Sequence, residues 1–235
     1  MSSPSPDRPL GAQVKPTAGN RPLRRSLSGR HVTLEPLDAG RHASSLWRHV
    51  QGADEAWDYL FDGPYPTEAA LTDSLASKAV SPDPLFWAVV DKASGGAVGY
   101  ATLLRIEPAH RVIEVGNILF TPALQRKPGA TEAMYLLARI VFDDLGYRRY
   151  EWKCNALNAP SRAAAERLGF TFEGIFRQHM IVKGRNRDTA WYSMLDSEWP
   201  AVKQAFEAWL APSNFDADGR QLASLKALRA GSTTV

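Results

Sequence analysis

Apolar and polar positions change period several times along this chain, and each change predicts an element. His31 to Leu34 reads as a short strand, and Asp38 to His49 as a helix with Leu46, Trp47 and Val50 on one side. Ala53–Leu60 predicts a second short helix ending near Gly63-Pro64, and Thr67–Lys78 a helix capped at Thr67 with Leu71 and Leu75 one turn apart. Leu85–Asp91 and Ala97–Ile106 are strands joined through Ser94-Gly95-Gly96, and Arg111–Phe120 is the next strand. Ala130, Ala133, Met134, Leu137, Ile140 and Val141 form one apolar helical face that Gly146 ends. Arg149–Cys154 is a strand, and Pro160 suits the first turn of a helix stopping at Gly169. Phe170–Lys183 and Asp188–Leu195 make a last hairpin around Gly184-Arg185-Asn186, and Trp199–Trp209 a last helix. No internal repeat interrupts this order.

The length of 235 residues suits one domain with tails, and 44% apolar content supplies a core. Residues 1–26 carry five prolines and several serines without apolar periodicity, and read as a solvated leader. The body is expected over 27–211 and a mobile tail over 212–235. No apolar run approaches the roughly 18 residues of a membrane span, and nothing resembles a secretory signal. The lone Cys154 excludes an intramolecular disulfide and a cysteine metal cluster, fits a cytoplasmic setting, and reads as a small buried side chain. The net charge of +3 hints at nucleic acid, but its distribution argues otherwise. Residues 1–30 hold six basic side chains and one acid, net +5, which leaves −2 for the rest. No basic stripe marks the body, so neither nucleic acid nor membrane is expected as partner.

The informative stretch runs from Glu114 to Phe172. Strand Val115–Phe120 meets Thr121-Pro122, and Gln125-Arg126-Lys127-Pro128-Gly129-Ala130-Thr131 then opens a helix lasting to about Leu145. A helix start behind a tight turn offers unpaired backbone N–H groups and the positive dipole end, which suit a pyrophosphate. Asn158-Ala159-Pro160-Ser161 and Leu168-Gly169-Phe170 follow, then Phe172-Glu173-Gly174, Phe176-Arg177-Gln178 and Gly184-Arg185-Asn186-Arg187-Asp188 before Trp191. In this order the motifs resemble the GNAT superfamily of acyl-CoA-dependent N-acyltransferases, in its RimJ/RimL-like branch, over roughly residues 28–210. Pro128 stands where the family pattern Q/R-x-x-G-x-G/A has its first glycine. It removes one N–H that the first helical turn would leave unpaired in any case.

The resemblance implies a mixed α+β fold: a central twisted, mostly antiparallel sheet of about seven strands, helices on both faces, and a splayed strand pair, here Val115–Phe120 and Arg149–Cys154. It implies acetyl-CoA, or another acyl-CoA such as succinyl-CoA, as co-substrate without a metal. Ile118, Leu119 and Phe120 would hold pantetheine and the thioester oxygen. Gln125, Arg126, Lys127, Gly129, Ala130 and Thr131 would hold the phosphates, and Asn158 the pantetheine, though Asn158 equally suits a helix entry. Ser161 would protonate the departing thiolate or simply open its helix. Glu114 is the first candidate base and His179 the second, its intrinsic pKa suiting the task. Phe170, Phe172 and Phe176 stand where relatives often place a tyrosine acid. Trp57, Asp58 and Tyr59 would line the acceptor pocket, and Arg177 or Arg187 would bind an acidic acyl group. The acceptor would be a small-molecule amine or a protein N-terminus, attacked without a covalent acyl-enzyme. Homodimers are common among relatives. The rival readings are a non-catalytic acyl-CoA-binding scaffold, a succinyl-CoA-preferring transferase, and a ribosome- or RNA-associated factor acting through the basic leader.

Overall fold

A computed structural model describes residues 10–231. The ends of the expected leader and tail, 1–9 and 232–235, lie outside the described residues. Eight strands form one sheet: β1 Leu27–Ser28, β2 Val32–Pro36, β3 Leu85–Asp91, β4 Ala97–Glu107, β5 Val112–Phe120, β6 Arg149–Asn155, β7 Thr171–Val182 and β8 Arg185–Leu195. Their spatial order is β1-β2-β3-β4-β5-β6-β8-β7. Every neighbouring pair is antiparallel except β5 with β6. The helices are α1 Ala39–Val50, α2 Glu68–Val80, α3 Pro128–Arg139, α4 Ala159–Leu168, α5 Trp199–Leu210 and α6 Leu225–Gly231.

Both sheet faces are covered, so the central strands read as apolar runs rather than alternating ones. On β3, Leu85, Trp87 and Val89 join the core beneath α3 and α5, while Phe86 and Ala88 join the core beneath α1 and α2. Local chemistry sets the helix ends. Asp38 caps α1 by accepting from the Arg41 N–H, and Thr67 caps α2 by accepting from the Ala70 N–H. Gly169 ends α4 at φ 106°, where any side chain would be strained. The last turn after α3 widens, so that the Leu145 N–H donates to the Ile140 carbonyl.

Four expectations change. The sheet has a short extra edge strand, β1. The final hairpin turns on Lys183-Gly184, both at positive φ, so β8 begins at Arg185 rather than Asp188. The leader is docked from Gly19 onward, not free: Gly19 N–H donates to the Pro108 carbonyl, and Trp87 Nε1 to the Arg25 carbonyl. The tail is also docked, with Leu225 buried in the main core.

Candidate active site

The parallel pairing of β5 and β6 runs only from Val112↔Arg149 to Val115↔Trp152. Beyond it both strands continue without pairing to each other, β5 to Phe120 and β6 to Asn155. A bulge in β5 opens the gap. Asn117 takes φ 45°, and the register against β4 shifts between Tyr100 and Thr102. The gap widens into a cleft of about 930 Å³ that reaches from Glu114 on one side to the start of α3 on the other.

At the α3 end, Arg126, Lys127, Ala130 and Thr131 line the cleft, with Ile118 and Phe120 on β5 and Asn158 and Ser161 on α4. Arg126 has φ 59°, the tight left-handed turn a phosphate loop needs. Lys127 precedes the helix and Pro128 fills its first turn, with no side chain capping the start. Gln125 lines the cleft but is committed to the loop, since its Nε2 donates to the Phe120 carbonyl at 2.7 Å. Two expected ligand residues direct their side-chain positions away from the cleft, which leaves only their backbone groups to meet a ligand. Leu119 is buried in the core beneath α1 and α2. Gly129 faces β2, where an added Cβ would come within 2.8 Å of Val32 Cγ1, so its glycine serves packing. Arg167 joins this end unforeseen: its Nη1 donates to Thr131 Oγ1 at 3.0 Å, and its guanidinium lies 5.0 Å from the Trp209 ring centre.

Asn158 Oδ1 accepts from the Ser161 N–H at 3.0 Å, so it caps α4 and lines the cleft at once. Ser161 Oγ accepts from Trp152 Nε1 at 3.0 Å. An indole nitrogen only donates, so the Ser161 hydroxyl keeps its own hydrogen for another acceptor. Cys154 is buried beside it, and burial pushes its thiol up from the usual value.

Glu114 is buried where the splay begins. Its Oε2 accepts from Arg105 Nη1 at 3.0 Å and from Lys153 Nζ at 2.9 Å. Burial raises its pKa, and the two cations oppose that. Lys153 is shared with Glu151 at 2.6 Å and sits 3.9 Å from the Trp191 ring centre. His179 reaches the same cleft, with Nδ1 2.9 Å from Thr189 Oγ1. Burial and then Arg105, Arg187 and Lys153 lower its pKa, which favours the neutral ring. The motif after the hairpin turn aims it. Asp188 accepts from the Gln178 N–H at 2.7 Å, fixing a β7 bulge in which Gln178 takes φ 50°.

The acceptor-side expectations divide. Tyr59 lines the cleft, its hydroxyl donating to the Leu157 carbonyl at 3.3 Å. Trp57 does not: it is 1% exposed, packed on Gly63 and edge-on to Tyr65, because the turn around Gly63 folds back over it. Asp58 and Arg177 are exposed and off the cleft wall. Of Arg177 and Arg187, only Arg187 lines it. Arg105, Lys153 and Arg167 gave no sequence signal, because each reaches the cleft through tertiary packing alone. Among the described residues, no group of three or more His, Cys, Asp or Glu is placed to hold a metal ion.

The family model described as Acetyltransferase (GNAT) domain matches residues 31–171. A crystal structure of a GCN5-related N-acetyltransferase from Brucella melitensis is 54% identical, with a TM-score of 0.89, covering 91% of this chain and 98% of its own. A "probable acetyltransferases (GNAT family)" structure from Chromobacterium violaceum is 44% identical, with a TM-score of 0.73, covering 85% and 100%. The "Putative ribosomal N-acetyltransferase YdaF" of Bacillus subtilis is 27% identical over 182 residues, 74% of this chain and 96% of its own.

Proposed function

The chain belongs to the GNAT acetyltransferase family, and from that premise we propose that it transfers an acetyl group from acetyl-CoA directly to a primary amine, with a protein N-terminus as the first acceptor to test. The splay of β5 from β6 beyond Val115↔Trp152, opening toward the start of α3, carries this reading. The unpaired edge of β5 offers backbone partners to pantetheine. The α3 N-terminus with Arg126 and Lys127 offers positive potential to the pyrophosphate, and one lost N–H at Pro128 leaves that potential in place.

Amines have a pKa near about 10, so a base must remove a proton near neutral pH. Glu114 suits that role. Its Oε2 is held by two cations, while its Oε1 points toward Gly116, 3.4 Å from where a Cβ would stand there. The amine attacks the thioester carbon, the carbonyl oxygen gains charge beside β5, and the C–S bond breaks. Ser161, which also hydrogen-bonds Cys154, passes its hydroxyl proton to the leaving thiolate and is reprotonated from solvent, while Glu114 releases the amine proton to solvent. The description of YdaF as a ribosomal N-acetyltransferase supports an amine of a ribosomal protein, and so a protein N-terminus, as the acceptor.

Isothermal titration with acetyl-CoA and CoA tests the donor half. Thiol release with a free-N-terminal peptide and its N-acetylated twin tests the acceptor half. Tight binding, with release only from the free peptide, is expected. Binding without release from the peptide or from a panel of small amines overturns the catalytic reading.

A further inference from the structure

Arg187 is 6% exposed, yet no acidic side chain among the described residues pairs with it. Its Nε makes one long bond to Thr189 Oγ1, at 3.3 Å, and its Cζ lies 5.1 Å from the Phe61 ring centre. Among the described residues neither terminal nitrogen has a hydrogen-bond partner, and neither is sealed from the cleft whose wall they form. A guanidinium stays charged at any working pH. Burying that charge unpaired is costly, and burial indeed pushes its pKa down. Glu114 is near enough to act on it, but the Glu114 carboxylate is already held by Arg105 and Lys153. Among the described residues no acid is left to pair with Arg187, so a carboxylate brought into the cleft would be its first ionic partner.

The ligand's chemistry follows from where Arg187 stands. It belongs to the Glu114 and His179 part of the cleft, while Arg126, Lys127 and Arg167 gather at the start of α3, where the CoA phosphates are read. One planar fork of donors matches one carboxylate. The nearby Glu114 opposes a dianion such as phosphate. We propose that Arg187 receives a carboxylate carried by one of the two substrates: the terminal carboxylate of a dicarboxylic acyl group on CoA, or the carboxylate of an amino-acid-type acceptor. This rests on the acyltransferase reading; its donor arm would put a dicarboxylic acyl group in place of acetyl, and its acceptor arm an amino-acid-type amine in place of the protein N-terminus.

Titration of the full-length protein with acetyl-CoA and succinyl-CoA tests the donor source. Thiol release from acetyl-CoA, comparing 4-aminobutanoate with butylamine and leucine with isopentylamine, tests the acceptor source. At least a tenfold preference for the carboxylated member of one arm is expected, lost in Arg187→Met. A donor preference assigns the acyl group, and an acceptor preference assigns the amine. The melting temperature of the ligand-free Arg187→Met protein should rise, because an unpaired buried charge has gone. Equal handling within threefold in both arms overturns the proposal and leaves the acyltransferase reading standing. A lowered melting temperature with no change of preference marks a merely structural arginine and also overturns it. Failure of both CoA thioesters to bind overturns the two readings together. The wild-type comparison decides even if the variant does not fold.

Discussion

Glu114 and His179 reach one cleft with proton affinities displaced in opposite directions, which makes the base separable by experiment. Burial raises Glu114 above the usual carboxylate range against the pull of Lys153 and Arg105, with Glu151 adding to the rise. Burial and three cations lower His179 below the usual imidazole value. Either base must be deprotonated to work, so kcat/KM should rise with pH through an acid limb, displaced upward from the ordinary carboxylate value if Glu114 is the base and downward from the ordinary imidazole value if His179 is. Glu114→Gln should lower kcat/KM by about 10²–10⁴ and remove the limb, while His179→Asn should leave the limb in place. The reverse pattern would assign the base to His179. A second carboxylate works for the fold alone. Glu132 on α3 is 4% exposed and accepts from the backbone N–H groups of Arg30, His31 and Val32 at 2.6, 2.6 and 2.9 Å. Glu132→Ala strands those donors and should cost about 3 kcal/mol or more in chemical denaturation, with Glu132→Gln intermediate. A cost below about 1 kcal/mol would mean that water replaces the carboxylate. The sequence carries no sign of this bond, because its partners stand a hundred positions upstream.

At the scale of elements, periodicity reports what a segment is and says little about where its neighbours bend it. The caps at Thr67 and Asn158 and the stop at Gly169 were legible, since each lies within a few residues of what it satisfies. The bulges at Asn117 and Gln178 were not, since a bulge is a mismatch between two strands and only one strand is read at a time. Yet those bulges make the site: one opens the β5 edge, and the other aims His179. The phosphate loop was legible as a motif, but the packing its glycine allows was not. Gly129 lets α3 sit against Val32 on β2. Gly129→Ala should therefore push the helix start outward, weakening both the fold and CoA binding. The expected loss of stability is about 1–3 kcal/mol, as for other overpacked sites. Adding Val32→Ala to Gly129→Ala should recover part of both losses, a coupling that a double-mutant cycle measures. Additive losses would show that the glycine matters to the ligand directly.

At the scale of the whole molecule, composition misled at both ends because it reports the solubility of a segment, not its docking. The leader is rich in proline and arginine, and those arginines are what fasten it: Arg24 donates to the carbonyls of Ala79 and Ser81 at the end of α2, and Arg25 pairs with Asp144. The tail folds back through Asn214, whose side chain accepts from the Ala223 N–H at 2.9 Å and donates to the Trp209 carbonyl at 3.1 Å. It thereby brings Gln221 to Trp209 Nε1 at 2.7 Å, and both residues line the cleft beside Arg167. The tail thus belongs to the phosphate end of the site, which the boundary drawn after residue 211 would remove. The two ends should respond differently to truncation. Deleting residues 1–18 leaves the stretch docked from Gly19 onward in place and should move the melting temperature by less than about 1 °C. Ending the chain after residue 211 removes Gln221 and buried Leu225, and should lower the melting temperature by about 4 °C or more. It should also weaken CoA binding at least tenfold, because Trp209 and through it Arg167 lose their support. Calorimetry and titration of the same two proteins measure both effects. Unchanged CoA affinity in the shortened chain would confine the tail to stability and leave the cleft to the sheet and α3 and α4 alone.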